Sequence, residues 1–298
     1  MMSADKKWPP SLVRELAERR CIIHLGSGMS CSSKSKINTK VTPPSWRILL
    51  ETLRDSTLSG PKNKSLVNEF IKNNKFLDAA EVIKLNGKSA EYNAKMHDIF
   101  ISPDYLPSEA HDILASKITP KIITTTNYDT IIEGALIENS GHNSFIQFEH
   151  STDGLLDAIR SPSTILIKMH GCAKHPKATI LSRSDYFALR KNYPSFFNTI
   201  SALFKINTVL FIGCGIEDPD INLILENNNI TDDSSTPHYA LVGDKSYAFK
   251  LKSTIKSQYN IDLITYHQKS KDDHSGFIAM IRHLDQELTE ERTKLGIQ

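Results

Sequence analysis

The fold is decided by Cys21-Ile22-Ile23-His24-Leu25-Gly26-Ser27-Gly28-Met29-Ser30, in which a short apolar run ends in a glycine turn. The run has the length and composition of a buried strand, and the apolar spacing over residues 12–20 predicts a helix before it. Gly26 and Gly28 allow the backbone to approach a diphosphate closely, with the amides of a following helix directed at the negative charge. A plain strand-to-helix turn needs the same glycines, so this segment alone leaves both interpretations open.

The glycine turn departs from the G-x-G-x-x-G fingerprint of hydride-transferring dinucleotide enzymes. Cys31 occupies the third glycine position, and no second strand ending in an acid follows about 20 residues later. A hydride-transferring Rossmann enzyme is therefore disfavoured.

Strand-like runs return after residue 118 and alternate with helical patterns. This alternation predicts an α/β fold with a Rossmann-like, mainly parallel sheet and helices on both faces. Such sheets bind ligands outside the carboxyl ends of their strands, and Gly26, Asn127, His170 and Gly213 each follow such an end. The predicted strands are residues 121–125, 144–148, 164–169, 208–213, 238–242 and 262–266.

The region from about residue 44 to 117 carries no convincing strand. Pro43-Pro44 followed by Ser45-Trp46 predicts a helix entry, and amphipathic or turn-bounded segments follow at 66–73, 77–86, 90–100 and 108–116. We expect a single domain over residues 1–298, with the Rossmann-like core at about 10–45 and 118–290 and an inserted small helical module at about 46–117. A terminal helix is expected at 272–292.

Asn127 lies in Thr124-Thr125-Thr126-Asn127-Tyr128-Asp129, just after a predicted strand. Its carboxamide can hold a ribose hydroxyl or a water and stays neutral at every pH. Asn is also a good helix cap, and a helix is expected to begin near Thr130, so capping is an open alternative. Asp129 is either a helix-start acid or a second polar group in a pocket.

His170 lies in Lys168-Met169-His170-Gly171, where a buried run ends. With an unperturbed pKa of about 6.5, an imidazole there can act as a general base at neutral pH, and a structural histidine is the alternative. Cys172 and His175 suggest a metal site, but three possible ligands crowded into six residues lack a distant partner. No metal is expected.

A second strand, glycine turn and helix entry is formed by Phe211-Ile212-Gly213-Cys214-Gly215-Ile216-Glu217-Asp218-Pro219-Asp220-Ile221. Its glycines allow close approach of a nucleotide, and Asp218 would start the next helix with Pro219 at its first position. Cys214 is not expected to be a nucleophile, because no histidine lies near it in sequence and a small residue suffices for the turn.

Composition sets broad limits on the class of protein. The chain has 298 residues, of which 39% are hydrophobic, and its formal charge of +2 gives no global electrostatic reason to bind nucleic acid or an anionic membrane. No stretch approaches the roughly 18 apolar residues of a membrane span, so we expect a cytoplasmic protein. Cys21, Cys31, Cys172 and Cys214 form no C-x-x-C pair, and neither a disulfide framework nor a four-thiolate zinc site is expected.

Taken together, these motifs resemble those of sirtuin-like proteins, and in particular the bacterial sirtuin-like NAD hydrolases of antiphage defence, such as the effectors of Thoeris and sirtuin-HerA systems. The resemblance covers about residues 21–225. Three departures are Ser27 in place of the usual alanine, a longer loop 31–43 without the Phe-Arg pair, and Cys214-Gly215 where serine is frequent. It rests, in order, on Gly26-Ser27-Gly28-Met29-Ser30, Pro44-Ser45-Trp46, Thr125-Thr126-Asn127-Tyr128-Asp129, Lys168-Met169-His170-Gly171, Ser184-Asp185-Tyr186 and residues 211–221.

The resemblance implies roles for individual residues. Asn127 and His170 would be catalytic, and Asn127 and Asp129 would flank the nicotinamide ribose. The glycine turn would hold the diphosphate, and Gly213 and Cys214 would line the adenosine side. The full set implied to bind the cofactor is Gly26, Ser27, Gly28, Met29, Ser30, Asp129, Gly213 and Cys214.

The implied activity is that of an NAD glycohydrolase, which cleaves NAD to ADP-ribose and nicotinamide and depletes cellular NAD in antiphage defence by abortive infection. Protein-deacylating sirtuins carry a zinc module built on two C-x-x-C pairs, which this chain cannot form. A non-catalytic NAD or ADP-ribose sensor or scaffold subunit is the first alternative, and an NAD-dependent deacylase without zinc is the second.

Toxic NAD depletion needs restraint before infection, so we also expect regulation by homo-oligomerisation or by a partner. No second regulatory domain is recognisable after residue 290, which favours a separately encoded partner such as a HerA-like ATPase. NAD is the expected substrate, and neither a membrane nor direct nucleic-acid binding is expected.

Overall fold

The computed structural model of the protein describes residues 8–141, 145–216, 218–231, 236–270 and 274–297. Parts of three predicted elements, namely Ser144, Glu217 and residues 272–273, lie outside the described residues.

The described strands form one large and one very small sheet. Each of β1, β7 and β8 is buried along its whole length, as expected for apolar runs covered on both faces. The strands are β1 (Cys21–Leu25), β2 (Lys34–Ser35), β3 (Tyr105–Leu106), β4 (Ile122–Thr125), β5 (Phe145–Glu149), β6 (Thr164–Lys168), β7 (Thr208–Ile212), β8 (His238–Gly243) and β9 (Ile261–Tyr266).

The large sheet has seven strands in the order β5-β6-β4-β1-β7-β8-β9. Every neighbouring pair in it is parallel. From β1 the chain passes to β4 and on to the edge strand β5, returns to β6 between those two, and then crosses to the other side of β1 at β7. The predicted parallel sheet is thus confirmed, with strand bounds within a residue or two of those expected.

Helices connect most of the strands. Ser45 caps α3, since its hydroxyl accepts a hydrogen bond from the amide of Ile48, and Pro61, Pro194 and Pro219 stand in first turns where no amide hydrogen is needed. The helices are α1 (Pro10–Ala17), α2 (Ser27–Ser30), α3 (Trp46–Thr57), α4 (Pro61–Lys72), α5 (Phe76–Asn86), α6 (Ser89–Phe100), α7 (Glu109–Ile113), α8 (Ile131–Ser140), α9 (Leu155–Arg160), α10 (Arg183–Asn192), α11 (Pro194–Ile206), α12 (Pro219–Thr231), α13 (Tyr247–Lys250), α14 (Lys252–Tyr259) and α15 (Ser275–Leu295).

Side chains alternate between the two faces of the sheet. Ile23 and Leu25 pack in a core with α1, α7, α8 and α15, whereas Ile22 packs in a second core with α9 to α14. The expected helical layers on both faces are therefore confirmed. The physical cause is that successive side chains of a strand point to opposite faces of the sheet, and here both sets are apolar.

The helices α3 to α6 share a third core of their own, which includes Leu53 and Met96. Tyr128, Ala173 and Leu181 from the loops after β4 and β6 belong to the same core. The helical module is thus attached to the loops at the carboxyl ends of these strands. One detail differs from expectation: β3 lies in the region thought free of strands, because a two-residue strand carries no periodicity that a sequence could show.

Candidate active site

The register of the large sheet brings the ends of four strands to one edge. Leu25 is paired with Thr125 and with Ile212, and Thr125 is paired with Lys168. These paired residues form a row across the sheet, so the segments that follow them leave it side by side. The residues delivered to this edge are Gly26, Asn127, His170 and Gly213.

A cavity of about 640 Å³ opens at this edge, between the strand ends and the helical module. Trp46 and Phe76 contribute its wall on the side of the module. Its volume lies within the range of about 300–1,000 Å³ that is usual for small-molecule sites. The predicted site residues that line it are Gly26, Ser27, Ser30, Asn127, Asp129, His170, Gly213 and Cys214.

Gly28 and Met29 are the two predicted site residues that do not line the cavity. The amide of Gly28 donates to the carbonyl of Gly213 at 2.9 Å, and a Cβ at Gly28 would stand 2.9 Å from that oxygen. The Met29 side chain is buried in the core beneath the sheet edge. Gly28 therefore packs against the second glycine turn, and Met29 anchors the first turn in the core.

The contact between the turns explains why glycine is needed on both sides. Gly213 has φ +68°, and a Cβ there would lie 2.3 Å from the backbone nitrogen of Met29. The amide of Gly26 also donates within the fold, to the carbonyl of Ile212 at 3.0 Å. These glycines therefore shape the turn by permitting close packing, while the amides of Gly26 and Gly28 are already used.

Asn127 is half-buried at the cavity wall, and its carboxamide is fixed by two hydrogen bonds. Its Nδ2 donates to the carbonyl of Gly26 and to the hydroxyl of Ser30, each at 2.9 Å. Both hydrogens of the amide are thus directed at the glycine turn, which leaves Oδ1 as the atom of this group available to a ligand. The alternative in which Asn127 caps α8 is wrong, because Asp129 occupies that role.

Asp129 combines the two functions that its sequence position left open. Its Oδ1 accepts from the amide of Ile131 at the start of α8, and its Oδ2 accepts from Ser30 Oγ at 2.7 Å. Ser30 therefore links the carboxylate of Asp129 to the carboxamide of Asn127. The three side chains form one hydrogen-bonded wall of the cavity.

A buried ion pair supports this wall from below. Lys168, at the end of β6, is fully buried, and its Nζ lies 2.7 Å from Oε1 of Glu133 on α8. The same Nζ donates to the carbonyl of Asp129. Burial alone would lower the pKa of Lys168, but Glu133 outweighs it with help from Cys172 and Asp129, and the net direction is upward. Lys168 therefore remains charged and holds the Asp129 loop against β6.

His170 is buried at the cavity wall with only 2% of its surface exposed. Its carbonyl accepts from the amide of Ile180 at 3.0 Å, and its ring makes an edge contact with Tyr186 at 5.1 Å between centroids. Burial lowers the pKa of His170 below its ordinary value, although Asp218 and Asp185 oppose this. The imidazole is therefore largely neutral at pH 7, the form in which it can accept a proton.

Three residues near His170 were not assigned to the site from the sequence. Asp218 starts α12 as expected, but it also lies close to the imidazole, with Tyr186 donating to it at 2.8 Å. His24 of β1 lines the cavity and bonds Thr124 Oγ1 at 2.8 Å. A signal for His24 existed, namely a polar residue inside an apolar strand just before the glycine turn. Tyr186 and Asp218 lie in motifs on which the resemblance rests, but nothing in the local sequence indicated that either side chain reaches His170.

The thiols at the site are poorly suited to nucleophilic catalysis. Cys214 lines the cavity, and burial raises the pKa of its thiol well above the ordinary value, with the negative charge of Asp218 acting in the same direction. Burial also raises the pKa of Cys172. Both sulfurs are therefore protonated at neutral pH, the less nucleophilic form of a thiol.

Metal ligands and membrane-spanning helices can be assessed in the described ranges only. Within them, no group of three or more His, Cys, Asp or Glu side chains is arranged to hold a metal ion. No helix in the same ranges has both the length and the apolarity needed to cross a membrane.

Known proteins are similar in sequence to the part of the chain that forms this site. Residues 121–264, which include Asn127, His170 and Gly213, match the family model of the SIR2-like domain. The chain is 26% identical over 232 residues to an NAD(+) hydrolase ThsA of Acinetobacter baumannii (strain 532279), which covers 77% of the chain and 44% of that relative. It is 26% identical over 231 residues to an NAD(+) hydrolase ThsA of Bacillus cereus (strain MSX-D12), with coverage of 77% and 44%.

A third relative is Defense-associated sirtuin 2 of Bacillus subtilis, 24% identical over 221 residues, which are 72% of the chain and 20% of that relative. The chain thus spans less than half the length of each of these curated relatives. The resemblance inferred from the motifs is confirmed: residues 121–264 match the SIR2-like domain, and 72–77% of the chain is similar to relatives named as NAD(+) hydrolases or as a defence-associated sirtuin.

Proposed function

We propose that the site hydrolyses NAD at the bond between nicotinamide and ribose, releasing nicotinamide and ADP-ribose. The observation that carries the proposal is the meeting of Asn127 and His170 beside two glycine turns, in one cavity at the carboxyl edge of a parallel sheet. The names of the ThsA relatives, which are NAD(+) hydrolases, support the same substrate and reaction.

In this reaction the bond between C1′ of the ribose and the pyridinium nitrogen breaks, and its electron pair leaves with nicotinamide. The ribose carbon acquires oxocarbenium character and is attacked by the oxygen of a water molecule. That oxygen loses one proton, so NAD and water give ADP-ribose, nicotinamide and a proton. Stabilising the cationic carbon and removing the proton are the two tasks left to the protein.

We assign these tasks to the two predicted catalytic residues. His170, largely neutral at pH 7, takes the proton from the attacking water. Asn127, held by Gly26 and Ser30, presents its Oδ1 to a ribose hydroxyl or to that water. Asp129 shares Ser30 with Asn127 and keeps a negative charge near the developing positive charge, which favours the cationic transition state.

We propose supporting roles for the remaining predicted residues. Gly26, Ser27 and Ser30 face the diphosphate and the nearby ribose, while Gly213 and Cys214 face the adenosine side. Gly28 and Met29 support the turn from behind. We further propose that the chain is one sirtuin-like domain, with a Rossmann-like core at about 10–45 and 118–290 and the helical module at about 46–117.

The test is incubation of the purified chain with NAD and chromatographic detection of nicotinamide and ADP-ribose. We expect His170→Ala and Asn127→Ala each to lose most turnover, by roughly 10² to 10⁴ for the general base. His175→Ala is the matched control, because His175 is an exposed histidine near the same loop and lies outside the cavity wall. Full turnover in both site variants, with unchanged melting temperatures, would contradict the assignment.

The same experiment separates the alternatives. A sensor or scaffold subunit would bind NAD or ADP-ribose in calorimetry and release no nicotinamide. A deacylase without zinc would consume NAD only when an acyl-lysine peptide is supplied. Steady nicotinamide release without such a peptide is the outcome that favours the hydrolase.

We propose that this activity depletes cellular NAD in antiphage defence by abortive infection, in the cytoplasm. The name of the Bacillus subtilis relative as a defence-associated sirtuin supports the defence role. Such an activity needs restraint, which we assign to a homo-oligomer or to a separately encoded partner such as a HerA-like ATPase. A fully active protein that elutes as a single monomer in size-exclusion chromatography with light scattering would argue against this regulation.

A further inference from the structure

We propose that Asp218 is a positioning residue for His170: it faces the imidazole Nε2, fixes the orientation of the ring and stabilises the imidazolium that forms when the ring takes a proton. The inference rests on the proposed hydrolase function and adds to it a partner for the base. It is carried by the geometry around one buried nitrogen atom.

Nε2 of His170 is shielded from solvent and has no hydrogen-bond partner in the described part of the chain. The charged atom that faces it is Oδ2 of Asp218, at 3.5 Å. This separation is too long for a hydrogen bond, although contacts between catalytic groups are often long without substrate and shorten in the reacting complex. Because Nε2 is buried and faces a carboxylate, the two groups can form an ion pair once the ring becomes positively charged.

The carboxylate of Asp218 is held in place from two sides. Its Oδ1 accepts from the amides of Asp220 and Ile221 at 3.0 and 3.1 Å, which fixes it to the first turn of α12. Its Oδ2 accepts from the hydroxyl of Tyr186 at 2.8 Å, and the ring of Tyr186 contacts His170 edge-on. Burial raises the pKa of Tyr186 well above its usual range, so this hydroxyl remains a donor. The oxygen nearest His170 is therefore rigidly placed.

This arrangement divides the two ring nitrogens between two tasks. Nε2 faces Asp218 and is closed to solvent, so Nδ1 is the nitrogen left to receive a proton from the substrate side. During the reaction the O–H bond of the water breaks and its proton passes to Nδ1. The hydrogen on Nε2 stays on the ring and is directed at Oδ2 of Asp218. No proton passes to Asp218 in this step, and the proton on His170 later returns to solvent.

Other groups also act on the charge of the ring. Asp218 and Asp185 favour the imidazolium, while His24 and His150 are coupled to the ring and disfavour a second positive charge nearby. Asp185 is already engaged in an ion pair with Lys84 at 2.7 Å. Removing the charge of Asp218 alone should therefore lower the pKa of His170. The groups on the elements around it are His24 on β1, His150 after β5, Asp185 and Tyr186 on α10, and Asp218 before α12.

The experiment compares wild type with Asp218→Asn in two measurements. Asn keeps Oδ1 for the amides of α12 and replaces the charged Oδ2 by an amide NH2, which cannot accept from Tyr186 or from His170. We expect the pKa of His170, followed by its imidazole NMR signals and assigned with His170→Gln, to fall by at least about one unit, since a nearby opposite charge shifts a pKa by about 1–3 units. We expect NAD turnover at pH 7.5 to fall roughly tenfold or more, and the acidic limb of its pH profile to move to lower pH.

Two further variants separate a positioning role from a structural one. Asp220→Asn removes a carboxylate two positions away, which accepts from Arg190 at 2.7 Å. We expect this variant to leave the pKa of His170 unchanged and to change turnover by no more than about twofold. Tyr186→Phe keeps the aromatic contact with His170 and removes the hydrogen bond that Tyr186 donates to Oδ2 of Asp218. Without that hydrogen bond, more negative charge remains on the oxygen that faces His170. We expect it to raise the pKa of His170, the opposite of Asp218→Asn, and it provides the test if the Asn variant does not fold.

Different results would contradict the hydrolase function and the role of Asp218. A wild-type protein that releases no nicotinamide, either alone or in its assembled form with a partner, contradicts the hydrolase function, while the NMR titration still reports on the pair. A wild-type protein that hydrolyses NAD, with the same His170 pKa in Asp218→Asn as in wild type, overturns the role of Asp218. A loss of turnover in Asp218→Asn without any shift of the acidic limb would also overturn that role, because Asn keeps the helix cap and the lost charge would then not act on the protonation of His170.

Discussion

At the residue scale, the site depends on two glycines that meet from opposite sides. Gly28 and Gly213 pack backbone against backbone, and the left-handed conformation of Gly213 directs the chain from β7 into the cavity wall. A methyl group at either position would overlap with main-chain atoms that cannot rotate away. The position of Ser30, and with it the carboxamide of Asn127, depends on this contact.

Gly213→Ala is expected to destabilise the protein by at least about 2 kcal/mol, because it adds both strain at positive φ and overlap with the Met29 nitrogen. Urea unfolding followed by circular dichroism measures this loss. Gly134→Ala in α8 is the matched control, since the new methyl would meet only Pro107 at 3.6 Å. That variant should gain up to about 1 kcal/mol from helix propensity. Equal stabilities of the two variants would refute the packing argument.

At the element scale, β6 and α8 are joined by a charge pair rather than by apolar contact alone. Lys168 and Glu133 are both buried, and Lys168 also bonds the carbonyl of Asp129 between β4 and α8. The pair therefore fixes the loop that carries Asn127 relative to the strand that leads to His170. A buried pair of this kind gives little net stability, but it costs much when one partner is lost.

Glu133→Ala should cost about 3–5 kcal/mol in the free energy of unfolding, since it leaves the buried ammonium of Lys168 without its carboxylate. The double variant Lys168→Met with Glu133→Leu should cost less than Glu133→Ala, because no charge remains buried. Chemical denaturation of the single and double variants gives the comparison. Additive losses would mean that the two side chains do not act as a pair.

At the scale of the whole molecule, several histidines are folded into the interior in their neutral form. Burial lowers the pKa of His24, His111 and His238 to about 4 each. Because these values lie below the ordinary 6.5, the unfolded chain takes up protons first as the pH falls. Their contribution to stability is therefore complete above about pH 6.5 and is lost between that pH and about 4.

We expect the melting temperature to fall steadily as the pH is lowered from 6.5 to 4.5. His111→Gln should flatten this dependence, because glutamine can still accept from the amide of Ser108 at the start of α7 and does not titrate. Differential scanning fluorimetry across this pH range is the measurement. His97→Gln, at an exposed position on α6, is the control and should follow the wild-type curve. A curve for His111→Gln that parallels wild type would contradict the assignment.

The sequence by itself determined the parallel sheet, the glycine turns and the strand-end positions of Asn127 and His170. These are local properties: apolar runs of strand length, glycines where the chain must turn sharply, and the rule that parallel strands present their carboxyl ends at one edge. The motifs also indicated the resemblance to sirtuin-like proteins, which the match of residues 121–264 to the SIR2-like domain confirms.

Only the tertiary structure decided how these residues touch one another. The strand order places β7 beside β1, so Gly28 rests on Gly213, and the turn after β7 brings Asp218 to His170 across 48 positions of sequence. In the folded chain Gly28 and Met29 lie outside the cavity lining. The first amide of α8, that of Ile131, donates to Asp129 and not to Asn127. Such contacts depend on which strands become neighbours and at what register, and no local pattern in a single sequence encodes that choice.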